Sequence, residues 1–449
     1  MSATPLRVNE LIDRAKITPL QYTVFILCGL AFGLDGMDTQ LIGYIAPALL
    51  ADFGVPRTAL GPVFSSGLVG LFIGALILSP LADKYGRKFV IIASVFTFGL
   101  FTLLSTLSGT IEHLAIWRFL TGLGLGAAIS NILALVSDYA PTRRRSTILM
   151  LMAATNPVGA VLGATLASYL VPLFGWRIMF IIGGVLPILL CAVLWFKLDE
   201  SLSWLVLKGR DKRQSQAIAE SIGGPLGTTQ LIVEQGAGMG YKEFLTQYLS
   251  QRTNLINTLA VMCVYFMIMF DMFFLGSWLT TLLTETGMPT KEAIHVSSLF
   301  QTGGLVGMLI LAFALSKLTM RFFAGMLIAA GAVIVLTSYA IGMNIYLVSA
   351  MVFLTGFLLL PCLSGGGHAV VGKIYPVAIR ATAFGLAFAA GRLGSVFGPV
   401  FGQNLHAWGF NTQEIFMLSA APCVIAALAV MVVVRNSGKQ APAWKPVTE

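Results

Sequence analysis

Twelve apolar stretches, each close to the ~20 residues an α-helix needs to cross the hydrocarbon core of a bilayer, follow one another along the chain. They lie at about residues 20–49, 58–82, 88–108, 114–138, 146–172, 177–197, 254–284, 292–315, 321–341, 345–372, 379–405 and 413–435. Such a chain can fold only as an all-α integral membrane protein, because in lipid every backbone N–H and C=O must be satisfied inside its own helix. Composition points the same way. Of 449 residues, 57% are hydrophobic and only 10% charged, where an ordinary soluble domain carries about 25% charged residues. A water-soluble globular enzyme is excluded.

The basic residues report topology. A net charge of +9 would suit a nucleic-acid partner if it were gathered on one face, but the lysines and arginines are spread over many short loops. With the N-terminus inside, the other side holds only Arg57, Arg177 and Lys291, while Arg118 and Arg392 lie within spans. Because basic loops stay on the cytoplasmic side, both termini are expected there. The apolar run after residue 19 is too long for a signal-peptide core, so it is expected to remain as the first membrane helix. A polar segment over residues 199–252 separates an N-terminal six-helix bundle (1–198) from a C-terminal one with a cytoplasmic tail (253–449). Two six-helix halves with nested repeats are a transporter layout. The linker, with Gly223-Gly-Pro225 and Gly236 to Gly240, reads as a tether carrying short surface helices.

Cofactor chemistry finds no support. Cys28, Cys191, Cys263, Cys362 and Cys423 sit in apolar stretches without ligand-like spacing, so neither a disulfide framework nor a metal site is expected. No phosphate-binding G-x-x-x-x-G-K-[ST] occurs, and no nucleophile constellation sits among the helices.

Ionisable groups at membrane depth cost several kcal/mol unless partnered, hydrated or employed, which singles out Asp35, Asp38, Arg118, Asp271 and Arg392. Asp35 and Asp38 are three apart on one helical face, so the pair is suited to taking up and releasing a proton. The alternative is that one of them pairs with Arg118 as a structural bridge. Arg392, beside Gly394, Gly398 and Gly402, is suited to bidentate capture of a carboxylate, or else to neutralising Asp271. Phe274 and Trp278, at helical spacing around Asp271, are core residues or the walls of a cavity for an aromatic ring. His368, after Gly365-Gly-Gly367, is more often a hydrogen-bonding residue than a proton relay.

Several motifs are more specific than composition. Ser79-Pro-Leu-Ala-Asp83-Lys84-Tyr-Gly86-Arg87-Lys88 stands between spans two and three, Arg118-x-x-x-Gly122-x-Gly124-x-Gly126 opens span four, and Asp199-Glu200-Ser201 follows span six. Together these resemble the signatures of the major facilitator superfamily, with Ser79 and Asp199 as departures and without an acid in the matching second-half loop Ser316 to Arg321. Leu34-Asp-Gly-Met-Asp-Thr39, Gly43 to Leu49, Arg118 to Gly126, Tyr375 to Thr382 and Gly391-Arg392-Leu-Gly394 resemble the aromatic acid:proton symporters more narrowly.

That resemblance implies a twelve-helix fold in two pseudo-symmetric bundles, importing a small aromatic carboxylate such as a hydroxybenzoate with protons across a bacterial inner membrane. It implies proton coupling at Asp35, Asp38 and Arg118, a substrate contact from Arg392, and gating by Asp83, Gly86, Arg87, Asp138 and Arg143, while Asp271, Phe274 and Trp278 are expected at the substrate site from their own place in span seven. It implies no cofactor, no nucleic-acid partner and a working monomer. Asp271 falls where the family is usually apolar, and Trp278-Leu-Thr280 stands where it usually reads W-L-P. The alternatives are a carrier of a non-aromatic organic acid such as a muconate, an exporter, or a membrane receptor for the acid in chemotaxis.

Overall fold

The computed structural model describes residues 6–224, 231–233, 248–314, 319–341, 344–367, 370–371, 374–375 and 377–437. His368, Lys373, the loop at 315–318 and the glycines at 236–240 lie outside the described residues.

Eleven helices among the described residues are long and apolar enough to span a bilayer. In chain order the helices are α1 (Val8–Arg14), α2 (Pro19–Phe53), α3 (Leu60–Ile73), α4 (Leu81–Tyr85), α5 (Arg87–Leu104), α6 (Ile111–Tyr139), α7 (Arg145–Phe174), α8 (Arg177–Lys197), α9 (Leu202–Lys208) and α10 (Lys212–Gly223). They continue as α11 (Arg252–Glu285), α12 (Thr290–Ala314), α13 (Met320–Ala340), α14 (Ile345–Pro361), α15 (Val377–Ala407), α16 (Thr412–Ser419) and α17 (Ala421–Ser437). The expected tenth span differs from the continuous stretch 345–372. Helix α14 is only 17 residues long, and after Pro361 the backbone passes into a π-helical turn, Cys362–Gly367. Proline and a run of glycines both disfavour regular α-helix there.

Helix ends obey local chemistry. Thr110 caps α6 through a hydrogen bond from the His113 N–H, and Asn344 caps α14 by accepting from Tyr346. Asn411 and Glu414 form a reciprocal capping box at α16. Outward faces carry large apolar groups such as Phe196 and Tyr346, each 81% exposed. Such rows suit a lipid environment and would be costly in water.

Two compact units emerge. The first comprises Met1–Leu41, Ser66–Leu166 and Leu170–Gly236. Its core gathers Val24, Cys28, Ile91, Phe98, Leu125, Leu135 and Leu194. Helices α3 and α6 approach so closely that a Cβ at Gly122 would lie 2.0 Å from the Gly67 carbonyl oxygen, which places the Arg118–Gly122–Gly126 face against α3. The first part of the linker is folded into this unit. Buried Val8, Leu11 and Ile12 of α1 join Leu205, Ile218 and Ile222 of α9 and α10 in the same core. Leu6–Arg7 pairs in parallel with Leu231–Ile232.

The second unit comprises Ile42–Ser65, Ala167–Tyr169 and Ala237–Glu449. Here α15 lies along α11 through the glycines spaced by four. A Cβ at Gly394 would stand 2.1 Å from the Phe266 carbonyl oxygen, and one at Gly398 would stand 2.4 Å from that of Phe270.

Candidate functional site

In the first unit, α2 carries Asp35 and Asp38 inward, and both are buried. Asp38 Oδ1 accepts from Arg118 Nη1 at 3.0 Å and from the Thr102 hydroxyl at 2.8 Å. Arg118 Nη2 lies 2.9 Å from Asp38 Oδ2 and also donates to the Asp38 carbonyl. The pair is buried, with 5% of the Arg118 and 1% of the Asp38 side chain exposed. Its members neutralise each other, and removing one would strand a buried charge. Asp35 is held differently, accepting from Asn156 Nδ2 at 2.9 Å and from the Thr39 hydroxyl at 3.4 Å. Asp38 thus meets a cation and Asp35 a neutral amide, although both lie on one helical face.

A second network ties the helix ends around the α4–α5 turn. Gly86 has φ +100, a conformation that side chains with a Cβ rarely adopt. A Cβ there would also meet Glu200 Oε2. Glu200 accepts the backbone N–H groups of Arg87 at 2.9 Å, Lys88 at 3.2 Å and Ser201 at 2.9 Å. Two of these are orphan donors of the first turn of α5, where a negative charge is favoured by the helix dipole. The Arg87 guanidinium pairs with Asp138 and donates to the Ala134 carbonyl at 2.8 Å, and the Ser201 hydroxyl donates to Asp138. Trp204 Nε1 donates to the Asp83 carbonyl, and the Tyr139 hydroxyl to that of Glu200. Asp83 thus joins through its backbone, while its side chain and that of Arg143 are exposed. Burial pushes the Asp199 carboxyl up from its ordinary range, against the opposing influence of Lys88.

In the second unit, α11 carries Asp271, Phe274 and Trp278, all fully buried. Asp271 Oδ2 accepts from the Cys423 thiol of α17 at 3.1 Å, and its Oδ1 has no hydrogen-bond partner among the described residues. Trp278 Nε1 donates to the Pro399 carbonyl at 3.0 Å. Its ring meets Phe64 edge-on at 5.5 Å and lies 4.8 Å from that of His406. Phe274 packs against Phe401 at 6.4 Å. These three side chains are held within the helix packing, while the half-buried Arg392 of α15 sets its guanidinium 4.9 Å from the centre of the Phe388 ring. Among the described residues no three His, Cys, Asp or Glu side chains converge as metal ligands.

A family model described as Major Facilitator Superfamily matches residues 28–357 and again 261–449. The chain belongs to the Major Facilitator Superfamily. Among its relatives, the 4-hydroxybenzoate transporter PcaK of Pseudomonas aeruginosa is 34% identical over 438 residues, covering 95% of each chain. The gallate transporter of Pseudomonas putida is 33% identical over 430 residues, again covering 95% of both. A crystal structure of a bacterial homologue of the human lysosomal transporter Spinster, inward-facing and occupied, superposes with TM-score 0.71 at 17% identity, covering 96% of this chain and 99% of that one. That likeness establishes the fold.

As a Major Facilitator Superfamily member the protein is a multi-pass membrane transporter and not an enzyme, so its buried charges are to be understood through binding and movement. Two groups of residues escaped the sequence reading. Glu200 was visible only as part of a motif, because the helix-end donors it accepts, on Arg87 and Lys88, lie 113 and 112 positions earlier in the chain. The other group joins Arg57, Glu285, His406 and Thr412. Arg57 Nε lies 3.1 Å and His406 Nε2 3.8 Å from Glu285 Oε1, and the Thr412 hydroxyl donates to Oε2 at 2.6 Å. No local pattern marks it, because its members come from three separate stretches of chain.

Proposed function

We propose that the protein imports a small aromatic carboxylate, such as a hydroxybenzoate, together with a proton, across a bacterial inner membrane with both termini in the cytoplasm. The observation that carries the substrate class is Arg392 seated on the Phe388 ring. A guanidinium offers a fork matched to a carboxylate, and a cation beside aromatic faces suits an anion attached to a ring. Relatives that match nearly end to end and are named as 4-hydroxybenzoate and gallate transporters support the same class.

The Asp38–Arg118 pair, with Asp35 beside it on α2, is the proton site. Protonation of a carboxylate in this enclosed place releases Arg118 from its partner, an event with a large local electrostatic consequence. Substrate anion and proton enter as a neutral sum and both favour the same occluded state, which is the condition for coupling. Asp271, Phe274 and Trp278, packed on α11, are the further residues assigned to the substrate site. The Arg87–Asp138–Glu200 network is the inner latch, with Gly86 shaping its turn, Asp83 contributing its carbonyl and Arg143 a surface charge beside it. The carrier works as a monomer.

The test is uptake of radiolabelled 4-hydroxybenzoate, protocatechuate and gentisate into proteoliposomes, with and without an inward proton gradient. Gradient-driven accumulation of one of them is expected. Uptake that equilibrates but never concentrates would remove the proton from the scheme, and no uptake of any would remove the aromatic acid.

A further inference from the structure

Tyr265 stands on α11 with 1% of its surface exposed, and its hydroxyl oxygen has no hydrogen-bond partner among the described residues. Burying a hydroxyl unpaired is costly, a cost that phenylalanine would avoid in the same volume. An orphaned group of this kind calls for an explanation, and three features of its surroundings supply one.

The hydroxyl faces Gly367, where a Cβ would lie 2.6 Å from it. Gly367 closes the π-helical turn Cys362–Gly367. Irregular backbone at membrane depth persists only where protein buries it or where it lines a cavity, and π turns gather at functional sites. Next, the Tyr265 carbonyl oxygen lies 3.2 Å from the place of a Cβ at Gly391, so Tyr265 and Arg392 stand at the same level of two adjoining helices. Last, a row of rings joins them. Tyr265 meets Phe384 edge-on at 6.1 Å, Phe384 stacks on Phe388 at 5.9 Å, and Phe388 carries the Arg392 guanidinium. The row begins at a cation, continues as aromatic faces and ends at a hydroxyl.

We propose that Tyr265 is a specificity-determining residue, whose hydroxyl hydrogen-bonds a ring hydroxyl of the aromatic acid while Arg392 holds its carboxylate. The inference rests on the aromatic-carboxylate reading above and names which members of that class are preferred. In this conformation the π turn covers the hydroxyl, so the ligand reaches it as that turn shifts. Pocket walls made of rings accept a bare ring as readily as a hydroxylated one. Discrimination has to come from a polar group that is left unpaired by the wrong ligand.

The test uses the full-length purified protein and compares the Kd of benzoate with those of 3- and 4-hydroxybenzoate, for wild type, Tyr265→Phe and Gly367→Ala. Wild type is expected to bind at least one hydroxylated acid more tightly than benzoate. Tyr265→Phe should erase roughly tenfold of that preference through weaker binding of the hydroxylated acid, leaving benzoate unchanged. Gly367→Ala, which sets a methyl against the hydroxyl, should act in the same selective way and serves if the first variant is not recovered folded. Unchanged preference, or equal weakening of both acids, overturns the role of Tyr265 alone. Failure of the wild type to bind any of the three acids overturns the aromatic-acid reading and this inference with it.

Discussion

Glu200 Oε1 accepts the backbone N–H of Arg87 at 2.9 Å, joining the residue that follows α8 to the first turn of α5. The contact is local in space and 113 positions apart in sequence. It binds the turn shaped by Gly86 to the Arg87–Asp138 pair, so backbone geometry and side-chain charge are secured at one place.

Replacing Glu200 with Ala should therefore cost about 1–3 kcal/mol, since it leaves helix-end donors without a charged acceptor. Gly86→Ala should cost more than an ordinary glycine replacement, because its φ of +100 is unfavourable for alanine and the new methyl meets Glu200. Thermal unfolding in detergent measures both. A Gly86→Ala protein as stable as wild type would contradict the strain argument.

Asp38→Asn leaves Arg118 buried beside a neutral amide. Breaking a buried pair from one side typically costs about 3–5 kcal/mol, so lower stability is expected together with loss of gradient-driven accumulation. The double variant Asp38→Asn/Arg118→Gln should regain much of the stability while accumulation stays lost. Recovery of both by the double variant would reduce the pair to a structural bridge.

Arg392→Lys keeps a positive charge but loses the planar fork and much of the stacking on Phe388. Apparent affinity for the carboxylate should fall roughly tenfold or more with little change in unfolding temperature. Transport assays at varied substrate concentration decide it, and an unaltered affinity would move the carboxylate site elsewhere.

Glu285 gathers Arg57, His406 and Thr412 around one carboxylate whose side chain is 7% exposed. Glu285→Ala should destabilise the protein by more than Arg57→Ala does. The arginine side chain is half exposed and can return to water, whereas loss of the acid leaves the buried His406 ring and the part-buried Thr412 hydroxyl without their shared partner. Chemical unfolding of the two variants orders them, and a larger loss for Arg57→Ala would reverse the assignment of which partner is buried.

Much of the fold was legible because lipid leaves a chain few choices. Apolar length implies helices, and glycines spaced by four imply a close-packed face. Gly122 and Gly394 do bring backbones together. The tenth span was harder, since hydropathy alone does not reveal that Pro361 and the glycines after it turn an apolar stretch into a π-helical one. The linker likewise looked like a tether. Its apolar residues Leu205, Ile218 and Ile222 are too few to form a core alone, and they acquire one only by packing with Val8, Leu11 and Ile12.

The candidate site residues divide in a similar way. A charge inside an apolar span is conspicuous wherever it falls, so Asp35, Asp38, Arg118, Asp271 and Arg392 stand out from sequence by the cost of burying them. Which partner each would take was not written locally. Asp38 meets Arg118 and Thr102, Asp35 meets Asn156, and Asp271 meets Cys423, because helices distant in sequence lie side by side. Glu285 and Tyr265 went unnoticed for the opposite reason. One sits at a helix end, where acids are common, and the other is an uncharged aromatic marked by a hydroxyl without a partner among the described residues. Burial energy, set by residue type and order, thus determined the membrane-spanning class and the identity of the costly groups. Pairing energy depends on ångström-scale distances between separate helices, so only the tertiary structure decided how those costs are met.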